Sequence, residues 1–299
     1  MEFKSKTNEW IEEVDSALDQ LLIAEDVPPQ VIHHAMRYSM FAGGKRLRPI
    51  LCLATAEMFN GDKTKVMPVA CALEMIHTYS LIHDDLPDLD NDDFRRGKPT
   101  NHKVYGNAMA ILAGDALLTH AFEILSKEAL ADADAANNKQ RLQANYEIAN
   151  AVSSRGMIGG QVVDIISEDN PVKEPSVLRY IHTHKTGDLI KTSVRSGALL
   201  SGASKEELEN ITIYAEKIGM AFQITDDILD IEGDQQELGK DIGSDEKNQK
   251  LTFPSIYGLE KSKRMARNAI TDAITFLEKT GRESAYLKEL AMYILTRKK

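Results

Sequence analysis

Two runs of aspartate carry the chemistry this chain of 299 residues is built to do. The first, His83-Asp84-Asp85-Leu86-Pro87-Asp88-Leu89-Asp90-Asn91-Asp92-Asp93, follows an apolar stretch, and the second is Asp226-Asp227-Ile228-Leu229-Asp230. An acidic run is usually a solvated face, but each of these has a feature that calls for a cation. Acids at the C-terminal end of a helix oppose its macrodipole, so the first run is unfavourable there unless positive charge offsets it. In the second, Gln223, Asp226, Asp227 and Asp230 fall at i, i+3, i+4 and i+7, which stacks like charges on one helical face. Oxygen donors without His or Cys at ligand spacing fit Mg2+ rather than Zn2+.

Basic residues stand beside these acids. Gly43-Gly44-Lys45-Arg46-Leu47-Arg48-Pro49 places cations in a glycine-rich loop just before a helix start, where backbone N–H groups and Lys/Arg make an anion site. Arg95-Arg96-Gly97-Lys98 follows the first acidic run within a few residues. Metal on one side of a polyanion and guanidinium on the other is the arrangement this order implies.

The elements that must position these groups read almost entirely as helix. Apolar residues recur near a 3.6 period from Val69 through Leu73 and Ile76 to Leu81, and again from Ile211 through Tyr214, Ile218 and Phe222 to Leu229. Pro49, Pro68, Pro171 and Pro175 are read as helix boundaries. Expected loops are 41–49, 91–101, 131–139, 168–175 and 233–250. No strand–turn–strand alternation is visible, and no glycine-rich turn joins a strand to a helix, which argues against P-loop and Rossmann readings. None of the loops has a linker's composition, so residues 1–299 are expected to form a single all-α domain.

Composition narrows the partners. Hydrophobic residues at 42% and charged residues at 27% can fill and cover a sizeable core, while a formal net charge of −10 disfavours nucleic acid. Cys52 and Cys71 lie in apolar helical patterns and are expected to be reduced core residues. The polar N-terminus is no signal peptide, and no apolar run is read as long enough for a membrane span, so a cytoplasmic protein without stable membrane insertion is expected.

The stretch Glu74-Met75-Ile76-His77-Thr78-Tyr79-Ser80-Leu81-Ile82-His83-Asp84-Asp85-Leu86-Pro87, continued through Asn91 to Thr100, resembles the first aspartate-rich motif of bacterial trans-prenyl diphosphate synthases, the farnesyl-forming subgroup most. The match extends from the Gly43–Pro49 run through Gly114-Asp115, Gly159-Gly160-Gln161 and Lys185-Thr186-Gly187 to Phe222–Asp230 and Gly239-Lys240, and so covers most of the chain. The resemblance implies a bundle of long helices around a central cavity, a homodimer, and Mg2+ held by Asp84 and Asp90 from one wall, with Asp85 assisting, and by Asp226 from the other. It also implies that Arg95, Lys185 and Lys240 hold an allylic diphosphate and that Lys45, Arg48, His77 and Arg96 hold isopentenyl diphosphate. Thr186 and Gln223 would face the developing carbocation, and the released pyrophosphate would take the final proton. His33, His34, His182 and His184 are read as structural. Asp88, Leu89 and Thr225 depart from the family pattern, and Asp88 could compete for a metal. The basic C-terminus, Arg297-Lys298-Lys299, could close over a bound diphosphate or form a solvated tail.

Tyr79, with Ser80 one turn before Asp84, would form an aromatic floor that stops elongation at C15. A longer-chain, geranylgeranyl-forming enzyme is the alternative. A terpene cyclase is disfavoured by the all-aspartate second cluster and by the Lys45, Arg48 and Arg96 set. A non-catalytic subunit is disfavoured because both clusters are intact.

Overall fold

The structure, a computed structural model, describes residues 2–131, 134–169, 174–232 and 250–297. It is an all-α architecture, as the periodicity predicts. The N-terminal helices are α1 (Glu2–Leu21), α2 (Gln30–Met40), α3 (Leu47–Met58) and α4 (Lys63–Asp84). A minimal hairpin, β1 (Phe94–Arg95) and β2 (Lys98–Pro99), leads to α5 (Asn101–Tyr105), α6 (Asn107–Ala131), α7 (Ala135–Val152) and α8 (Met157–Asp169). Next come α9 (Pro175–Ile181), a π-helical turn at His182–Gly187, α10 (Asp188–Leu200) and α11 (Lys205–Glu232). The last described helices are α12 (Phe253–Tyr257), α13 (Leu259–Lys279) and α14 (Ala285–Thr296).

The central element is α4. Its apolar residues run all round the helix, which is the pattern of a helix enclosed by others, and it packs against α1, α2, α3, α6 and α10. One large apolar cluster gathers around it, and a second joins α3, α10, α11, α13 and α14. Helices α3 and α10 meet closely because Gly197 has no side chain: a Cβ there would stand 2.2 Å from the Cys52 carbonyl oxygen. Cys52 and Cys71 are buried free thiols, as expected.

Four expectations need correction. Pro68 is not a helix boundary, since α4 begins at Lys63 with Asp62 as its cap, accepting from the Thr64 N–H at 3.0 Å. The proline is tolerated because the carbonyl it leaves unbonded belongs to exposed Thr64, in the first turn. Most of the expected 131–139 loop is helix, as Asp134 caps α7 through bonds from Ala136 and Asn137 N–H. Residues 94–99 pair as a two-residue antiparallel ladder, and Arg96 and Gly97 both have positive φ, the twist a two-residue hairpin turn demands. Finally, α6 is long and apolar enough to cross a membrane by length and composition alone; part of it is buried against the rest of the chain, with α4 its principal neighbour.

Candidate active site

Helix α4 ends at Asp84, and the chain folds back so that Asp90 lies beside it: the Asp90 N–H donates to the Asp84 carbonyl at 2.8 Å, and Asn91 N–H returns to Leu86 O at 3.1 Å. Positive φ at Asn91 completes this reversal. Burial pushes the Asp84 carboxyl up to about 6, opposed by Lys185 and reinforced by Asp90. The intervening acids divide by surroundings. Asp85 is buried and accepts from Arg95, whose Nε stands 2.7 Å and Nη2 2.5 Å away. Asp88 and Leu86–Pro87 form the turn, with Asp88 exposed.

Facing this cluster are lysines from distant segments. In the π-helical turn, consecutive residues diverge: Lys185 Nζ donates to Asp164 on α8 at 2.5 Å, and Thr186 Oγ1 accepts from Gln223 Nε2 on α11 at 2.9 Å. Gly160 permits the contact between α8 and this turn, since a Cβ there would meet Lys185 N at 2.2 Å. Lys250 reaches Asp90 at 3.3 Å and Glu168 at 3.9 Å.

The second cluster does not present one shared face to a cavity, as its spacing led us to expect. Asp226 pairs with Arg297 at 2.6 Å, and the same guanidinium also donates to Phe222 O and lies over the Phe222 ring. Asp227 turns the other way and accepts from the Phe253 N–H at 2.7 Å, at the start of α12, so it holds that helix in place. Asp230 is buried beyond it. The reason is geometric: adjacent helical residues point about 100° apart, and the neighbours on the two sides differ. Arg297 is nearly enclosed rather than in a solvated tail.

A separate basic group forms where α3, α4 and the hairpin meet. His77 is flanked by Arg48 and Arg96, and burial together with these cations holds its pKa well below the ordinary value, so the imidazole is neutral at pH 7. Burial lowers Arg48 to about 10, so it remains charged, and its Nε is buried without a hydrogen-bond partner. Arg96 donates to the Gly43 carbonyl and lies over Gly44, whose missing Cβ would be 2.7 Å from the guanidinium carbon. Lys45, from the same loop, is exposed at the mouth of an apolar cleft shared with Phe222 and Arg297. Below the acids, Tyr79 is buried with its hydroxyl unpartnered and its ring edge-on to His83 at 5.7 Å, and Ser80 Oγ donates to His77 O at 2.9 Å.

Most of the sequence candidates fall in two neighbourhoods, Asp84, Asp90, Arg95 and Lys185 in one and Arg48, His77 and Arg96 in the other, while Lys45 lines the cleft with Phe222 and Arg297. Asp226 is within electrostatic reach of Arg48. Lys240 lies outside the described residues, as do Lys298 and Lys299. Asp164 and Lys250 were not anticipated. Lys250 had a usable signal, since it precedes the helix-start run Leu251-Thr252-Phe253-Pro254, as Lys45 precedes Pro49. Of the histidines read as structural, His33 bonds Val27 O and His184 pairs with Asp188, whereas His182 Nε2 is buried without a hydrogen-bond partner.

An all-α bundle with aspartate clusters ending one helix and studding another, each opposed by basic residues, is the build of an isoprenyl diphosphate synthase. The profile of the family described as polyprenyl synthetase matches residues 29–292. The chain is 48% identical over 246 residues to a geranylgeranyl diphosphate synthase of Cyanophora paradoxa, covering 82% of this chain and 80% of that one. It is 44% identical over 294 residues to a farnesyl diphosphate synthase of Geobacillus stearothermophilus, covering 95% of each. The crystal structure of an FPP/GFPP synthase from Zymomonas mobilis superposes with a TM-score of 0.85 at 36% identity, covering 98% of this chain and 99% of that one. The chain belongs to the polyprenyl synthetase family and is a prenyltransferase.

The family generally uses divalent metal ions. Among the described residues no three acidic, His or Cys groups close into a metal cage. The donors nevertheless fit: Asp84 and Asp90 are adjacent hard carboxylates, one of them short of compensating charge, and Mg2+ characteristically takes only one or two protein carboxylates, completing its shell with substrate phosphate and water.

Proposed function

We propose that the chain condenses isopentenyl diphosphate with dimethylallyl and geranyl diphosphates to give farnesyl diphosphate and pyrophosphate. The observation that carries this reading is the presence of two cationic groups, one in which Arg95 and Lys185 lie against the aspartates of the first cluster, and one in which Arg48 and Arg96 gather around His77. Isoprenoid condensation needs one diphosphate to depart and the other to stay, and the two groups differ in that respect.

Mg2+ bound through Asp84, Asp90 and Asp226 would supply Lewis-acid neutralisation of the departing pyrophosphate. Lys185, Arg95 and Lys240 would hold that diphosphate while its C–O bond breaks, the electron pair leaving with oxygen. Thr186 Oγ1 and Gln223 Oε1 direct dipoles at the allylic cation. Lys45, Arg48, Arg96 and the neutral His77 would fix isopentenyl diphosphate so that its alkene pair forms the new C–C bond, with proximity providing much of the rate. Pyrophosphate then accepts the proton lost from the adduct. Tyr79, with its hydroxyl tip unpartnered in apolar surroundings, supports a C15 product. The likeness to the Geobacillus stearothermophilus enzyme fits that product, and the likeness to the Cyanophora paradoxa enzyme fits the C20 alternative equally.

Purified protein given isopentenyl and geranyl diphosphates with Mg2+ should yield farnesol after phosphatase treatment, and excess EDTA should abolish turnover. Geranylgeraniol as the main alcohol would establish the longer-chain reading; a cyclic hydrocarbon, or no product, would refute condensation. Because the Asp84 carboxyl is pushed up to about 6, protons compete with metal there. Calorimetric affinity for Mg2+ should therefore fall as pH drops through about 6, and an affinity flat between pH 5 and 7.5 would remove Asp84 from the ligand set.

Apolar side chains exposed on α6 and α8, among them Ile111, Leu112, Val162 and Ile166, support a homodimer. A single catalytic domain acting in the cytoplasm, with no nucleic-acid partner, completes the proposal.

A further inference from the structure

Arg46 stands between Lys45 and Arg48, yet it faces the opposite way. Its side chain is 1% exposed, and φ is +49, a left-handed conformation that is costly for a residue with a Cβ. The guanidinium is held on three elements at once. Nε donates to Asp15 on α1 at 2.7 Å, Nη2 to Met40 O at the end of α2 at 2.8 Å, and Nη1 to Glu74 on α4 at 3.1 Å. Glu74 is itself 1% exposed, and its second oxygen is buried with no hydrogen-bond partner.

We propose that the Asp15–Arg46–Glu74 chain is a positioning device for the isopentenyl diphosphate site, with Arg46 its central positioning residue. The inference rests on the function proposed above. Arg46 is the residue immediately before α3, so fixing it fixes Lys45 on one side and Arg48 on the other. Glu74 lies one helical turn before His77, so the same anchor sets the loop against the imidazole. Arg96 is seated on Gly43 and Gly44, within the same anchored loop. Glu74 also provides the main negative charge felt by both Arg48 and Arg96, which lets three guanidinium groups converge on one corner without being fully neutralised. A net positive charge therefore remains for an anion. Arg46 itself is too enclosed to touch one.

Arg46→Lys keeps the charge and removes the fork that joins the three elements. It should raise KM for isopentenyl diphosphate about tenfold, leaving kcat and the allylic KM within about twofold. Asp15→Asn alters only the half-exposed outer member and should raise the same KM about threefold. Equal rises in both KM values, or no rise, would overturn the proposal; if Arg46→Lys does not fold, Asp15→Asn decides alone. Calorimetry with inorganic pyrophosphate in metal-free buffer separates the two readings. An inactive wild type that binds pyrophosphate, with binding about tenfold weaker in Arg46→Lys, sinks the proposed reaction and keeps the anchor. Equal binding by the two proteins sinks the anchor.

Discussion

Asp84→Asn should lower turnover by about a thousandfold or more while raising the melting temperature. The loss follows from the position of Asp84 at the end of α4, with Asp90 folded back beside it and Lys185 opposite. An amide neither balances a divalent cation nor draws Lys185 toward the site. The gain has a separate origin. The carboxyl is raised from 3.8 to about 6 chiefly by burial, so the folded chain holds a proton there that the unfolded chain releases. Stability from this group is present below about pH 4 and is lost as pH rises through about 6, so at pH 7 the ionised side chain destabilises the fold by about 3 kcal/mol. Asparagine avoids that cost and also relieves the unfavourable interaction with the helix C-terminus. Calorimetric melting without metal at pH 7.5 should show the variant above the wild type, with the gap closing toward pH 4. A variant that melts lower would mean that Asp84 holds the fold together.

The second large effect concerns product length. Tyr79→Ala should turn a C15 producer into one whose main product is C20 or longer, read by chromatography of dephosphorylated alcohols. Tyr79 is 5% exposed, and its ring meets His83 edge-on, one turn along α4. His83 is in turn fixed by its bond with Ile111 O at 3.0 Å and fills the space that Gly114 leaves on α6. Removing the ring opens room for roughly one more prenyl unit, at a stability cost of about 3 kcal/mol. An unchanged product spectrum would show that the chain grows elsewhere.

The chain's helical character and its first cluster were legible because both are local. Asp84 and Asp90 need only a helix end and a six-residue reversal, and Arg95 and Arg96 need only a tight hairpin. The second cluster was legible as acidic but not in its division of labour. Asp227 serves the start of α12, 26 residues later, and Asp226 meets an arginine 71 residues away. No helical periodicity encodes such partners. Asp164 and Lys250 escaped for the same reason, as each acquires its significance only once α8 and the segment before α12 have been folded against α4. Pro68 misled differently: proline marks the first turns of a helix as readily as its boundary, and Asp62, six residues earlier, was the better guide.

The wide turn at His182–Gly187 carries a consequence for how this segment can vary. A π-helical turn holds one residue more than an ordinary helical turn, and that residue lets Lys185 and Thr186 address α8 and α11 from adjacent positions. Deleting any single residue here would let α9 run into α10 as one regular helix, rotating one half against the other by about 100°. Lys185 or Thr186 would then lose its neighbour, whichever residue had been removed. Apart from Lys185 and Thr186, side chains in this stretch can be exchanged one at a time, but its length is a fixed quantity.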